Sequence, residues 1–239
     1  MTDRPPTPTI AQVTLVGVFV TGLVTAQLTA AKVLAFSLPL SLPLTGSELV
    51  LPGAALAYAV TFLASDCYTE LYGKRAAQVV VNVAFAMNFL VLVLVWSTAA
   101  APVFAGSPVD AAEFEAVLMP ASYVVAGSLL AYMVSQNWDV WFFHRIRDRT
   151  GADRLWLRNI ASTGTSQAID TVIFISVAFA IAPAIFGGDV MGLEGVAALI
   201  LGQYLLKLAI AVLDTPVVYL VVHLVRTRTP AFGEESAVA

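Results

Sequence analysis

The chain has 239 residues, of which 59% are hydrophobic and only 12% charged, with a formal net charge of -4 and a mean hydropathy of +0.85. Soluble domains carry about 25% charged residues, so this composition excludes a disordered chain, argues against a soluble globular domain and leaves an integral membrane protein. The single cysteine, Cys67, excludes an internal disulfide and a cysteine-clustered metal site, and no basic patch suggests a nucleic-acid partner.

Stretches without charged residues predict six membrane-spanning helices, since a span needs about 20 mostly apolar residues. They are expected near 10–35, 49–72, 76–98, 119–143, 163–187 and 194–222. The second is the least apolar, because it must include Asp66 and Glu70 to reach spanning length. The predicted fold class is therefore an all-α integral membrane bundle over 10–225, flanked by an N-terminal tail, 1–9, and a disordered C-terminal tail, 226–239.

Lysine and arginine predict the orientation of this bundle. All of them except Lys32 and Lys207 lie in the two tails and in the connections between helices 2 and 3 and helices 4 and 5. The other connections, near 36–48, 99–118 and 188–193, contain none. Because cytoplasmic loops carry the excess of positive charge, both termini are expected in the cytoplasm and the protein in the inner or plasma membrane. Prolines and glycines near 36–48 indicate irregular backbone, either an inward-folding lid or a simple turn.

Charged residues inside the predicted spans are the main sign of function. A charge at the centre of a bilayer costs several kcal/mol, so each must face protein, water or a partner. The chain has seven such residues: Lys32, Asp66, Glu70, Asp139, Asp170, Lys207 and Asp214. Five acids against two bases cannot all be neutralised by pairing. Some of the acids are therefore protonated, hydrated at the interface or matched to a ligand.

Helical spacing groups these residues with uncharged polar ones. Asp66 and Glu70 share one helix face, whereas Tyr68 points roughly the opposite way. Gln136 accompanies Asp139, and Gln203 aligns with Lys207. The predicted substrate-binding or coupling residues are Asp66, Glu70, Tyr68, Gln136, Asp139, Gln167, Asp170, Lys207, Gln27 and Lys32.

Structural roles compete with this prediction. Glu70 and Asp139 would equally suit interfacial pairs with Lys74, Arg75 or Arg145. Lys32 would suit snorkelling to the headgroups, and amides inside spans often only join helices. Asp66, Asp170 and Lys207 are the hardest to explain without a functional role.

Three motifs carry a resemblance to a known family. The first motif, at the end of predicted helix 2, is Ser65-Asp66-Cys67-Tyr68-Thr69-Glu70-Leu71-Tyr72-Gly73, followed by Lys74-Arg75. The second is Leu155-Trp156-Leu157-Arg158-Asn159, followed by Gln167, Asp170 and Thr171. The third, at the end of predicted helix 1, is Ala30-Ala31-Lys32-Val33. The chain resembles the queuosine precursor transporters, also classed as vitamin uptake transporters, over roughly 12–222. Only Cys67 departs, standing where the family pattern has an aliphatic residue.

The resemblance implies import of 7-deazapurines such as preQ0 and preQ1, scavenged for tRNA modification. It also implies kinship with the six-helix substrate-binding subunits of energy-coupling-factor transporters. A deazaguanine offers N–H donors that suit carboxylates, a carbonyl that suits lysine or glutamine, and a plane that suits aromatic stacking. The cationic aminomethyl group of preQ1 would use the excess of acids, which also suggests proton coupling.

Other functions stay open at this stage. The chain would also suit an importer of another vitamin or nucleobase, or a ligand-free scaffold. An intramembrane aspartyl enzyme built on Asp66 and Asp170 is the least favoured, because two close carboxylates are its only signal. We expect no enzyme activity, catalytic residue, metal or cofactor. The expected partners are a small-molecule substrate and the bilayer, with an energising membrane module left open because the chain has no phosphate-binding P-loop.

Overall fold

The computed structural model describes residues 7–150 and 155–228, without the side chains of 149, 150 and 155–159. Its helices are α1 (Ile10–Thr29), α2 (Ala55–Tyr72), α3 (Lys74–Ala99), α4 (Ala111–Leu118), α5 (Ala121–Thr150), α6 (Leu155–Ser176), α7 (Ala182–Phe186) and α8 (Leu193–Arg228). A π-helical turn, Val177–Ile181, joins α6 to α7, and two strands, β1 (Val33–Leu42) and β2 (Gly46–Pro52), lie between α1 and α2.

Five stretches of the described chain are long and apolar enough to cross a membrane: Ile10–Thr29, Lys74–Ala99, Ala111–Asp148, Ile160–Phe186 and Leu193–Arg228. The predicted second span is not among them. It forms the 18-residue helix α2, but Asp66, Glu70 and three tyrosines make it more polar than the others. The membrane-protein class of the fold is thus confirmed, whereas the sixth span and the position of the termini remain predictions.

The fold is mainly α-helical, but the predicted ends of helices 1 and 2 are wrong. Helix 1 was expected to reach residue 35 and helix 2 to begin at 49, but α1 ends at Thr29 and α2 begins at Ala55. An antiparallel hairpin, rather than the expected irregular backbone, occupies the segment, with Leu34 opposite Leu51. Pro39 and Pro43 lack the N–H that helix needs, and the register is irregular around Pro39, between Ser37 and Leu42.

The predicted tails fall largely outside the described residues, which begin at 7 and end at 228. Where the structure does describe the second tail, α8 continues through 226–228. The helix therefore extends beyond its expected end at 222.

The chain divides into two compact units, and the first comprises 7–26, 56–91 and 209–228. Its core includes Cys67 and Tyr68, both buried. The Tyr68 and Tyr72 rings lie 4.7 Å apart between centroids. Gln12 Nε2 donates to the Tyr68 hydroxyl at 3.1 Å, which fixes α1 against α2. Gly73, with φ +84°, ends α2 in the left-handed conformation that glycine adopts without cost.

The second unit comprises 27–55 and 92–208, except the undescribed 151–154. Within it α5 and α6 approach so closely at Gly127 that a Cβ there would lie 3.0 Å from the Phe174 carbonyl oxygen. Strand β2 meets α8 at Gly202, where a Cβ would overlap the carbonyl oxygen of Val50. Small residues of this kind let helices and strands pack backbone to backbone.

The π-helical turn has an identifiable cause. Pro183 lies four residues after Phe179 and has no N–H to donate to the Phe179 carbonyl. That carbonyl accepts instead from the Met191 N–H at 2.9 Å. The turn is therefore stabilised by the segment that follows α7.

Candidate substrate-binding site

An ion pair between α6 and α8 is the centre of the candidate site. Lys207 Nζ lies 2.5 Å from Asp170 Oδ2, and the side chains are only 8% and 25% exposed. Ser135 of α5 donates through Oγ to the other carboxylate oxygen, Oδ1, at 3.4 Å. One polar cluster thus joins three helices of the second unit.

Because the pair is largely buried, losing either partner is costly in free energy. Removing one partner of a buried ion pair costs about 3–5 kcal/mol, because the other charge is left uncompensated. Lys207 retains donor capacity beyond its bond to Asp170, since an ammonium group has three N–H donors. The pair is therefore both a structural tie and a set of hydrogen-bonding groups available to a polar molecule.

Two buried amide oxygens of the same unit have no hydrogen-bond partner among the described residues: Gln27 Oε1 and Gln203 Oε1. These glutamines are 2% and 3% exposed. Leaving a buried acceptor unsatisfied costs about 1–3 kcal/mol, so such groups call for an explanation such as a bound molecule. Gln203 precedes Lys207 by one turn of α8, which places both on one helix face.

The other predicted residues of the second unit are less closely associated with this pair. Ser166 donates to Asp139 Oδ1 at 3.4 Å, so the described contact of Asp139 is with α6 rather than with Arg145. Gln167 is half-buried, three residues before Asp170, whereas Gln136 and Lys32 are exposed. The Lys32 backbone carbonyl accepts from the Gly53 N–H at 2.5 Å, at the base of the hairpin.

Asp66 and Glu70 line a separate cavity of about 290 Å³ in the first unit. Both side chains are exposed. Glu70 Oε1 lies 3.6 Å from Arg226 Nη2, so its described ionic partner comes from α8 and not from Lys74 or Arg75. Tyr68 points away from this cavity, as its spacing predicted, and bonds to Gln12. The structure therefore places Tyr68 apart from Asp66 and Glu70, and its role in binding stays a prediction.

Gln203 and Ser135 were not among the predicted site residues. The signal for Gln203 was its alignment with Lys207, and the signal for Ser135 was its position four residues before Asp139. Neither spacing says that a side chain is buried or lacks a partner, so the tertiary structure was needed to select them. Within the described residues, no group of His, Cys, Asp and Glu side chains is suited to hold a metal ion.

Comparison with known proteins identifies the class of molecule. The family model described as "Putative vitamin uptake transporter" matches residues 52–221, which include Asp66, Asp170 and Lys207. The chain belongs to this family. It is therefore a membrane transporter, whose cargo is a small molecule.

A curated relative supports the assignment to this transporter family. The chain is 34% identical over 163 residues to a Bacillus subtilis (strain 168) protein named "Probable queuosine precursor transporter". The alignment covers 68% of this transporter and 67% of the relative. No solved structure matches the chain.

Proposed function

We propose that this transporter imports a queuosine precursor, a 7-deazapurine base such as preQ0 or preQ1, into the cytoplasm for salvage into tRNA. The support is the name of the 34% identical relative, together with the Ser65–Gly73 motif. The family's own description favours a vitamin as the second candidate cargo. Competition of vitamins against preQ1 uptake distinguishes the two.

The observation that carries the proposal is the Asp170–Lys207 pair in the same unit as the unpartnered oxygens of Gln27 and Gln203. A deazaguanine has an amide-like N–H and an exocyclic amine, which donate to such oxygens, and a carbonyl, which accepts from an ammonium group. The protein therefore offers each hydrogen-bonding group of the base a complementary partner. Binding would satisfy the buried acceptors that the described structure leaves unpaired.

Transport follows as exposure of this polar site to one side of the membrane and then to the other. In our proposal the bundle has six spans with both termini in the cytoplasm, and protonation of Asp66, Glu70 or Asp170 couples uptake to the proton gradient. The excess of acids over bases in the spans motivates the coupling. The protein works as a transporter without catalysing a reaction on its cargo.

Uptake of labelled preQ0 and preQ1 into cells that cannot synthesise queuosine precursors tests the proposal. We expect wild-type protein to support uptake, and Asp170→Asn and Lys207→Met each to lower it by at least about tenfold, equivalent to about 1.4 kcal/mol. Arg226→Gln, which breaks an exposed pair (51% and 57% exposed), is the matched control and should retain most activity. Absence of uptake by wild-type protein would show that the cargo is another molecule.

Energy coupling is tested separately, with purified protein in vesicles that contain no other membrane protein. Accumulation of preQ1 on imposing a proton gradient, lost when the gradient is collapsed, is the expected result. Accumulation that is independent of the gradient would contradict proton coupling. Activity that appears only with an added energising module would show that the transporter depends on one.

A further inference from the structure

The second unit contains a cavity of about 490 Å³ that is separate from the ion pair. It lies between α4, the start of α5, the π-helical turn and the segment 188–191, and neither Asp170, Lys207 nor Ser135 lines it. Its volume falls in the range of about 300–1,000 Å³ that is usual for small-molecule sites. We call it the α4 cavity.

The walls of the α4 cavity are held in place by specific contacts. Phe179, in the π-helical turn, is buried and lines the cavity. Its carbonyl accepts from Met191 N–H at 2.9 Å, which holds the segment 188–191 to the turn. A Cβ at Gly188 would lie 3.0 Å from Tyr123 Cε2, so glycine there makes room for the tyrosine ring. Single π-helical turns within α-helices occur frequently at functional sites.

The side chains that line the α4 cavity indicate which class of ligand would bind there. Tyr123 and Phe179 offer flat aromatic surfaces, while Glu115 and Asp189 offer carboxylates. No lysine or arginine is among the lining residues. Aromatic rings bind planar rings by stacking and also attract cations, and the carboxylates favour positive charge. The cavity is thus complementary to a planar, positively charged heterocycle.

One aromatic contact connects the cavity lining to α6, the helix that carries Asp170. Phe174 follows Asp170 by one turn of α6. Its ring packs edge-to-face against Phe179, with centroids 6.4 Å apart and planes at 90°. A ligand in the α4 cavity would therefore lie beside Phe179, whose ring contacts Phe174 one turn after Asp170 on α6.

We propose that the α4 cavity is a second ligand site, which captures planar cationic heterocycles before they reach the Asp170–Lys207 pair. The inference rests on the proposed function, because it assigns the same cargo an initial binding site on the transport pathway. The connections that form the cavity contain no lysine or arginine, the pattern predicted for the external side. The site therefore faces incoming cargo and prefers the cationic preQ1 to the neutral nitrile preQ0.

Equilibrium binding of preQ1 and preQ0 to the full-length protein in lipid nanodiscs tests the inference. The double variant Glu115→Gln/Asp189→Asn should lower preQ1 affinity about fivefold and leave preQ0 affinity within about twofold, since each exposed charge contributes modestly. The difference should disappear in about 1 M salt, where the screening length falls to about 3 Å. Glu113→Gln is the control, because Glu113 lies on α4 but does not line the cavity.

Stacking is tested by Phe179→Leu, which should weaken both ligands about fivefold, near the lower limit measured for base–aromatic stacking. The control Phe104→Leu removes a ring that is 79% exposed and outside the cavity. In Asp170→Asn protein, preQ1 binding at the α4 cavity should persist and should remain sensitive to the Glu115→Gln/Asp189→Asn change.

The outcomes separate this inference from the proposed function. If wild-type protein binds and imports preQ1 but Glu115→Gln/Asp189→Asn binds it as tightly as wild type at low salt, only the α4 cavity site is overturned. Complete loss of preQ1 binding in correctly folded Asp170→Asn protein would also show that the cavity is no separate site. If wild-type protein neither binds nor imports either base, the proposed function fails, and this inference fails with it.

Discussion

Two ion pairs between a basic and an acidic side chain differ in burial and therefore in their contribution to the free energy of unfolding. Lys207 and Asp170 are 8% and 25% exposed, whereas Arg226 and Glu70 are 51% and 57% exposed. Breaking a buried pair costs about 3–5 kcal/mol, while an exposed pair contributes about 0–1 kcal/mol. The Asp170–Lys207 pair is therefore the one whose loss should affect both stability and transport.

At the residue scale, the buried oxygen of Gln203 permits a test that separates folding from function. Gln203→Met replaces a buried amide, whose oxygen has no partner among the described residues, with an apolar side chain of similar size. We expect the free energy of unfolding in detergent to stay equal or rise by about 1 kcal/mol, because the unsatisfied acceptor is removed. Uptake of preQ1 should fall, because the base loses a hydrogen-bond acceptor.

The same substitution at Gln78, which is exposed and is not among the predicted site residues, is the control and should change neither property. A marked loss of stability in Gln203→Met would show that the amide has a structural partner. Retention of full uptake would exclude Gln203 from the binding site.

At the element scale, the hairpin depends on its contact with α8. Gly202 lets β2 approach so closely that any side chain would overlap Val50. The opposing atom is a backbone carbonyl, which cannot rotate away as a side chain would. This close contact is made by one residue of a 36-residue helix. At 1.5 Å per residue, α8 is about 54 Å long, well beyond the roughly 30 Å hydrocarbon core.

Gly202→Ala should therefore destabilise the protein by about 1–3 kcal/mol, the usual cost of overpacking, and should increase proteolysis of the hairpin. The measurement is thermal unfolding in detergent together with limited digestion. Gly164→Ala is the matched control: Gly164 lies in α6, and a Cβ added there would have nothing within 4 Å. That change should stabilise the helix by about 1 kcal/mol, so equal behaviour of the two variants would contradict the packing argument.

At the scale of the whole molecule, the distribution of charged residues and the length of α2 both bear on whether α2 crosses the membrane. Five stretches of the described residues are long and apolar enough to be spans without it. Its carboxylates, Asp66 and Glu70, make α2 less apolar than those stretches, yet it has 18 residues and is about 27 Å long. The basic pair Lys74-Arg75 follows it immediately, which favours a cytoplasmic end.

Reporter fusions decide this topology. Alkaline phosphatase fused after Thr45, in the hairpin, should be active because that segment is predicted to be external. The same enzyme fused after Arg75 or after Arg228 should be inactive, and green fluorescent protein at these two points should fluoresce. Equal phosphatase activity after Thr45 and after Arg75 would show that α2 does not cross the membrane.

Much of the architecture could be predicted because the bilayer imposes a local rule. A segment surrounded by lipid must be apolar and must satisfy its own backbone, so five spans are evident from composition alone. The hairpin was missed because its apolar residues, such as Val33 and Leu34, also suit a membrane helix. Periodicity cannot decide between the two, whereas prolines and the pairing of β1 with β2 do.

By itself, the sequence determined that this protein lies in a membrane, belongs to a transporter class and carries more acids than bases in its predicted spans, since these properties follow from composition and from motifs within single helices. Only the tertiary structure decided that Asp170 meets Lys207, that the buried Oε1 of Gln203 has no partner among the described residues, and that Asp66 lines a cavity in the other unit. The physical reason is that helical spacing determines which residues share a face, whereas partners on different helices depend on packing between segments far apart in the chain.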